Sequence, residues 1–173
     1  MSRIKMVEYN DANEVQREEY DKQVAAHGKI TNMKKTLLNH IPSFKILMEW
    51  YDLRDMVANI VGSFATDVFA YAVSSENDCL ICSTFFRRIL KDNGYDPDNL
   101  KLRPVEQLLV DFGRACVGKA HVGDELFARM KEFFGDAEIV LLTTFAGQMI
   151  ATNLINTALN VPLDDYLVPY TKR

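Results

Sequence analysis

Apolar residues recur at helical spacing along most of the chain. The strongest run covers residues 57–73, where Ile60, Val61, Phe64, Val68, Tyr71 and Ala72 fall at i, i+3, i+4 and i+7, the spacing that places side chains on one face of a helix. Just upstream, Phe44, Ile46, Leu47, Trp50, Tyr51 and Leu53 form a broad apolar face, with Ser43 as the cap at its start. The pattern continues from one stretch into the other. Gly62 is therefore read as lying inside a helix, at a cost of about 1 kcal/mol relative to Ala.

The flanking segments read the same way. Asp11 caps a polar helix that runs to His27 and stops at Gly28; its apolar face (Val15, Tyr20, Val24) is thin, as in an arm that needs a partner. Thr31 caps a short helix with Met33, Leu37 and Leu38 inward and a break before Pro42. A polar break at residues 74–78 precedes a helix over residues 79–92, which Asn93 and Gly94 end. Pro104 suits the first position of the next helix, which carries Leu108, Leu109 and Phe112. Gly118 and Gly123 bracket a loop holding His121. Asp124 begins a short helix, and Asp136 caps a long one over residues 137–159 that Pro162 stops, leaving an irregular tail. No stretch alternates with period 2 and hairpin turn signals are missing. The expected class is all-α, with residues 1–30 as an N-terminal helical arm and residues 31–173 as the helical domain.

At 173 residues and 48% apolar, the chain can build one sizeable core, or two small helical halves that share it. The net charge of −4 and the scatter of Lys and Arg, densest at Lys34-Lys35 and Arg87-Arg88, argue against a nucleic-acid or membrane-surface partner. No apolar run approaches the roughly 18 residues expected of a membrane span. Residues 1–19 are polar and acidic, without the apolar stretch of a secretory signal, so the expected compartment is the cytosol.

The chemistry concentrates at Cys79 and Cys82. Three cysteines in a chain this long are not a disulfide framework, and a close pair in a reducing compartment is more often redox-active or metal-binding than structural. Asn77 or Asp78 can cap a helix whose first turn holds Cys79, where backbone N–H groups favour a thiolate. Glu76 and Asp78 oppose that effect by like-charge repulsion. The i, i+3 spacing puts both sulfurs on one helix face, close enough for a reversible disulfide. One thiolate can then attack a peroxide or disulfide and its neighbour resolve the product. Two other readings stay open. The pair can be buried thiols packing as small hydrophobes, or half of a zinc site, for which Cys116 and three scattered histidines are a poor supply. Cys116 reads as a buried structural thiol.

Several motifs together resemble the carboxymuconolactone decarboxylase superfamily, in its alkylhydroperoxidase AhpD-like branch. They are Thr31-Asn32-Met33 followed by Leu37 and Pro42, Asp67 twelve positions before Cys79, CxxC entering a helix, and residues 127–139 leading into a long apolar helix. The resemblance spans residues 31–161. It implies an AhpD-like helical bundle and a thiol-dependent peroxidase or disulfide reductase of antioxidant type. It also implies an external dithiol electron donor and a homo-oligomer such as a trimer or hexamer. By resemblance Cys82 reacts first, Cys79 resolves, and Asp67 assists proton transfer. No flavin or nicotinamide motif is present, so no cofactor is expected. The family pattern has a glutamate at the position of Asp67 and a histidine at that of Phe86. A phenylalanine relays no proton, and His40 or His121 would have to replace the imidazole. Asp67 can also be a carboxylate on the outer helix face. Two further functions remain: a redox sensor or oligomeric module without turnover, and a decarboxylase acting on a small lactone acid.

Overall fold

The structure is a computed structural model that describes residues 2–118 and 121–172. Among the described residues there is no strand. Nine α-helices follow one another: α1 Glu14–His27, α2 Asn32–Leu37, α3 Ile41–Met48, α4 Trp50–Val61, α5 Ser63–Glu76, α6 Leu80–Asp92, α7 Pro104–Ala115, α8 Asp124–Phe133 and α9 Asp136–Ala158.

Local hydrogen bonding decides where these helices begin. The cap of α1 is Asn13, not Asp11. Asn13 Oδ1 accepts from the Gln16 N–H and Gln16 Oε1 accepts from the Asn13 N–H, both at 3.0 Å. Asp11 lies in a short 3-10 turn, Tyr9–Asp11, and its carboxylate takes Lys5 at 2.9 Å. Gly28, in the left-handed region, closes α1 as expected, and Thr31 caps α2. The break expected before Pro42 falls at residues 38–40, between α2 and α3, and Pro42 itself sits in the first turn of α3, where a missing N–H costs nothing. The cap there is His40, whose Nδ1 accepts from the Ser43 N–H at 3.3 Å, so Ser43 is inside the helix rather than at its start.

The largest departure is at Gly62. The continuous helix expected across residues 57–73 is broken there, because Gly62 adopts φ +86° and ψ 157°, a conformation that side chains with a Cβ rarely reach. The break turns α5 into the centre of the molecule. Ala65, Val68, Phe69, Ala70, Ala72 and Val73 are all buried, and α4, α6, α7 and α9 pack around them. The polar break expected from residue 74 starts later, since α5 runs to Glu76 and Ser74 is buried. The helix expected over residues 79–92, and those opening at Pro104 and Asp124, form as read. Of the loop between Gly118 and Gly123, residues 119 and 120 lie outside the described residues; His121 is exposed.

Phe69, Phe86, Phe112 and Phe145 form the aromatic heart of the main core, together with Leu108, Leu109, Met130, Leu142 and Met149. A second cluster of Val7, Ala12, Leu37, Leu38, Phe44 and Leu47 joins the N-terminal segment to α2 and α3. By length and composition α9 is able to cross a membrane, against the expectation that no such run exists. Here it is a core helix that sends Ile139, Leu142, Phe145, Ala146 and Met149 inward. Its cap is backbone at Gly135, whose N–H is taken by Glu138 Oε2 at 2.8 Å, and Asp136 is already helical. The tail is more regular than its sequence suggests. A 3-10 segment, Asp165–Tyr170, packs along α6. Arg87 holds it by donating to the Tyr170 carbonyl at 3.1 Å while gripping Asp98 with two bonds of 2.6 Å.

Candidate thiol site

The site begins at the turn from α5 into α6. Cys79 N–H donates to the Ser74 carbonyl at 3.1 Å, Asp78 takes a left-handed φ of +50°, and Cys79 itself is extended. Cys79 therefore occupies the N-cap position, and its sulfur accepts the Cys82 N–H at 3.3 Å. The cap expected from Asn77 or Asp78 is supplied by the thiol. This explains why the local sequence tolerates a cysteine at a position that usually takes Ser, Thr, Asp or Asn.

Both thiols are free and buried, and their surroundings shift them in opposite directions. Cys79 is lowered below the ordinary thiol range. The Cys82 thiol donates to it first of all, and the N–H groups of Cys82 and Ile81 and the Asn156 amide add to this against the cost of burial. Cys82 is pushed well above that range, because it is the donor in this bond, is buried, and faces the charge of Cys79. The repulsion expected from Glu76 and Asp78 is not among the causes of either shift.

The third member of the site comes from α9. Asn156 Nδ2 donates to Cys82 Sγ at 3.1 Å and lies 3.5 Å from Met33 Sδ. Its Oδ1 is buried without a partner. Sequence reading missed Asn156. The available signal was a pair of asparagines, Asn153 and Asn156, spaced i, i+3 on an otherwise apolar helix.

Cys82, but not Cys79, lines a cavity of about 100 Å³. Its walls are largely apolar: Leu47, Trp50, Tyr51, Phe85, Phe86 and Met149, with Lys34 and Asn156 among the polar groups. Phe86 shares the cavity-facing side of α6 with Cys82, as their i, i+4 spacing predicts. It is 2% exposed, against the Trp50 ring at 6.2 Å.

The remaining candidates lie elsewhere. Asp67 is buried, not on an outer face, and its Oδ1 accepts from Arg54 Nη2 at 2.9 Å; neither thiol is among its partners. Burial raises its carboxyl above the usual range, against the Arg54 charge. His40 is occupied as the α3 cap and His121 is exposed, and neither lines the cavity. His27 stacks at 4.2 Å on Tyr51, a residue of the cavity wall. Cys116 is half-buried against the main core, and burial pushes its thiol up to about 11. Among the described residues no group of three or more His, Cys, Asp or Glu is placed to hold a metal ion.

No protein-family model and no curated protein sequence matches the chain. Its structure is nevertheless similar to solved ones. An uncharacterized peroxidase-related protein from Silicibacter sp. TM1040 superposes with a TM-score of 0.72 at 15% identity, covering 90% of this chain and 87% of that one. An alkylhydroperoxidase AhpD core protein, peroxidase-related, from Ralstonia eutropha JMP134 gives 0.71 at 16% identity, covering 96% and 94%. The debrominase Bmp8, in complex with 2,3,4-tribromopyrrole, gives 0.80 at 12% identity, covering 96% and 94%. The chain therefore has the AhpD-like all-helical fold.

Proposed function

We propose that the protein is a thiol-dependent peroxidase or disulfide reductase working through Cys79 and Cys82. The observation that carries this reading is that Cys82 lines an apolar cavity one helical turn from Cys79, whose sulfur accepts the Cys82 N–H and whose thiol is the more ionisable of the two. When a peroxide ROOH enters, the Cys79 thiolate takes the Cys82 proton. The Cys82 thiolate attacks the outer oxygen, the O–O bond breaks, ROH leaves after taking up a proton, and Cys82 becomes a sulfenic acid. Cys79, deprotonated again, attacks the Cys82 sulfur; water leaves and the disulfide forms. An external dithiol returns two electrons and two protons. Cys79 thereby takes over proton handling that the family pattern leaves to a carboxylate and an imidazole. Asp67, engaged by Arg54, is given no step.

By the same reading the protein is cytosolic and a homo-oligomer. Support for assembly comes from Ile46, Val140 and Leu154, each more than 60% exposed on α3 and α9. A second reading is reductive dehalogenation, favoured by the likeness to Bmp8 and by the aromatic cavity wall. It balances with the same dithiol: Ar–Br and two thiols give Ar–H, a disulfide, bromide and a proton.

The test is consumption of cumene hydroperoxide with a dithiol donor, run beside tribromopyrrole. Turnover that vanishes in Cys82→Ser is expected. A single oxidation of the pair without turnover would make the protein a sensor. Peroxide loss no faster than in Cys82→Ser defeats the enzymatic reading.

A further inference from the structure

The cavity beside Cys82 contains a cation that nothing balances. Lys34, in α2, is 4% exposed and lines the cavity wall. Its ammonium has three protons. One goes to Gln23 Oε1 and one to Tyr51 Oη at 2.8 Å, both neutral acceptors. Among the described residues no carboxylate lies within ion-pair distance, and burial alone depresses its pKa to about 8. A buried charge without a partner is costly, so an opposite charge supplied from outside would be bound strongly there. One carboxylate does border the cavity. Asp164 is occupied by the Asn32 N–H at 2.9 Å and lies in the field of Lys29 and Lys35.

A second, independent feature borders the same space. Asn156 Oδ1 is a buried acceptor with no donor, on the residue whose Nδ2 is committed to Cys82. A ligand that donates an O–H or N–H satisfies it and comes to rest beside the sulfur. Between these polar points the wall is aromatic and aliphatic, and the volume of about 100 Å³ is smaller than the roughly 150 Å³ cavity that holds benzene.

We infer that this cavity binds a small apolar organic acid, with Lys34 as the counter-charge for its anionic group and Asn156 Oδ1 as the acceptor for a hydrogen it donates. This deepens the proposed function by naming the substrate class: a hydroperoxide, or another group reducible by a dithiol, on a short apolar stem that ends in a carboxylate. The remaining titratable groups on the cavity are Tyr51 and Tyr166, both raised by burial, and Cys82. His27 behind Tyr51 is lowered by burial and by the Lys34 charge. None of them supplies a second cation for the acid at neutral pH.

Trp50, the only tryptophan in the chain, borders the cavity and reports its occupation. The probes are 3-hydroxypropanoate and its neutral amide, both small and both carrying an O–H for Asn156 Oδ1, titrated against Trp50 fluorescence at pH 7. The carboxylate should bind about tenfold or more tighter than the amide, an advantage that fades above pH 8. Lys34→Met should abolish the preference and Lys34→Arg retain it, with thermal melts confirming that both fold. The same titration in Cys82→Ser involves no thiol chemistry, so it separates the fate of this inference from that of the peroxidase reading. Equal binding of acid and amide, a preference that survives in Lys34→Met, or no saturable binding of either probe up to roughly 10 mM would overturn it.

Discussion

The side-chain amide of Asn156, near the end of α9, donates to the sulfur of Cys82, in the first turn of α6, at 3.1 Å. This bond fixes the thiol against a helix that begins more than 50 residues later and favours the thiolate over the thiol at both cysteines. Replacing Asn156 by Leu removes that donor together with the unpartnered Oδ1, so stability should change little. Hydrogen bonds to charged groups are worth about 1.5–3 kcal/mol. Alkylation of Cys82 by iodoacetamide, followed by mass spectrometry, should therefore slow by about tenfold or more. An unchanged rate in a folded variant would remove Asn156 from the site.

Much of this site was legible in the sequence, and the missing part has a physical reason. The thiol pair, its place at a helix start and the shared face of Cys82 and Phe86 follow from local spacing. Asn156 does not, because periodicity says which face of α9 is apolar but not which helix will lie opposite. The same limit hid the break at Gly62. An isolated glycine inside an apolar pattern is compatible with a continuous helix, and only the packing of α5 at the centre selects the turn. Asp67 shows a third limit: its burial and its bond to Arg54 depend on α4 folding back over α5.

The unequal ionisation of the two thiols can be titrated. Thiolate absorbance should show a first ionisation below the ordinary thiol value of about 8.5 and a second well above it. In Cys82→Ala the Cys79 sulfur loses its strongest donor, so its ionisation should move up. A single shared midpoint for both thiols would contradict the opposite shifts of the pair.

Close approach of α5 and α7 rests on Gly113. A Cβ there would meet the Phe69 ring at 2.8 Å and Val73 at 3.0 Å. Gly113→Ala should destabilise by about 1–3 kcal/mol, the usual cost of overpacking a filled core, despite the better helix propensity of Ala. Chemical denaturation reads this directly. A variant as stable as the wild type would mean that the two helices separate without penalty.

Lys34 gives stability a pH dependence of definite sign. Its folded pKa is depressed to about 8, while the unfolded value is about 10.4. Between these values the unfolded chain holds a proton that the folded one has released, so stability rises with pH across that window. Relative to Lys34→Met, the wild type should gain about 1–3 kcal/mol from pH 8 to pH 10. Other groups titrate in both proteins, so the quantity to follow is the difference between the two denaturation free energies. A flat difference would mean that Lys34 is solvated in the folded state.

Position 86 decides whether an imidazole is missing from the site. Phe86 shares the cavity wall with Cys82 and is 2% exposed, packed on Phe85 at 5.3 Å and near Trp50. A histidine there would share the face of the thiol at i, i+4. General acid–base assistance is commonly worth about 10²–10⁴-fold, and the wild type should turn over peroxide slowly for lack of it. Phe86→His should gain at least about tenfold in turnover, well inside that range. It should also lose roughly 2–4 kcal/mol of stability, because a polar ring replaces a well-packed aromatic. The gain should show a pH optimum near the histidine pKa, which a merely loosened cavity would not produce. Thermal melts identify the temperature at which the variant is fully folded, and turnover is compared below it. A wild type that is already fast, with a folded variant no faster, would show that Cys79 handles the proton without help and that position 86 has no bearing on the chemistry.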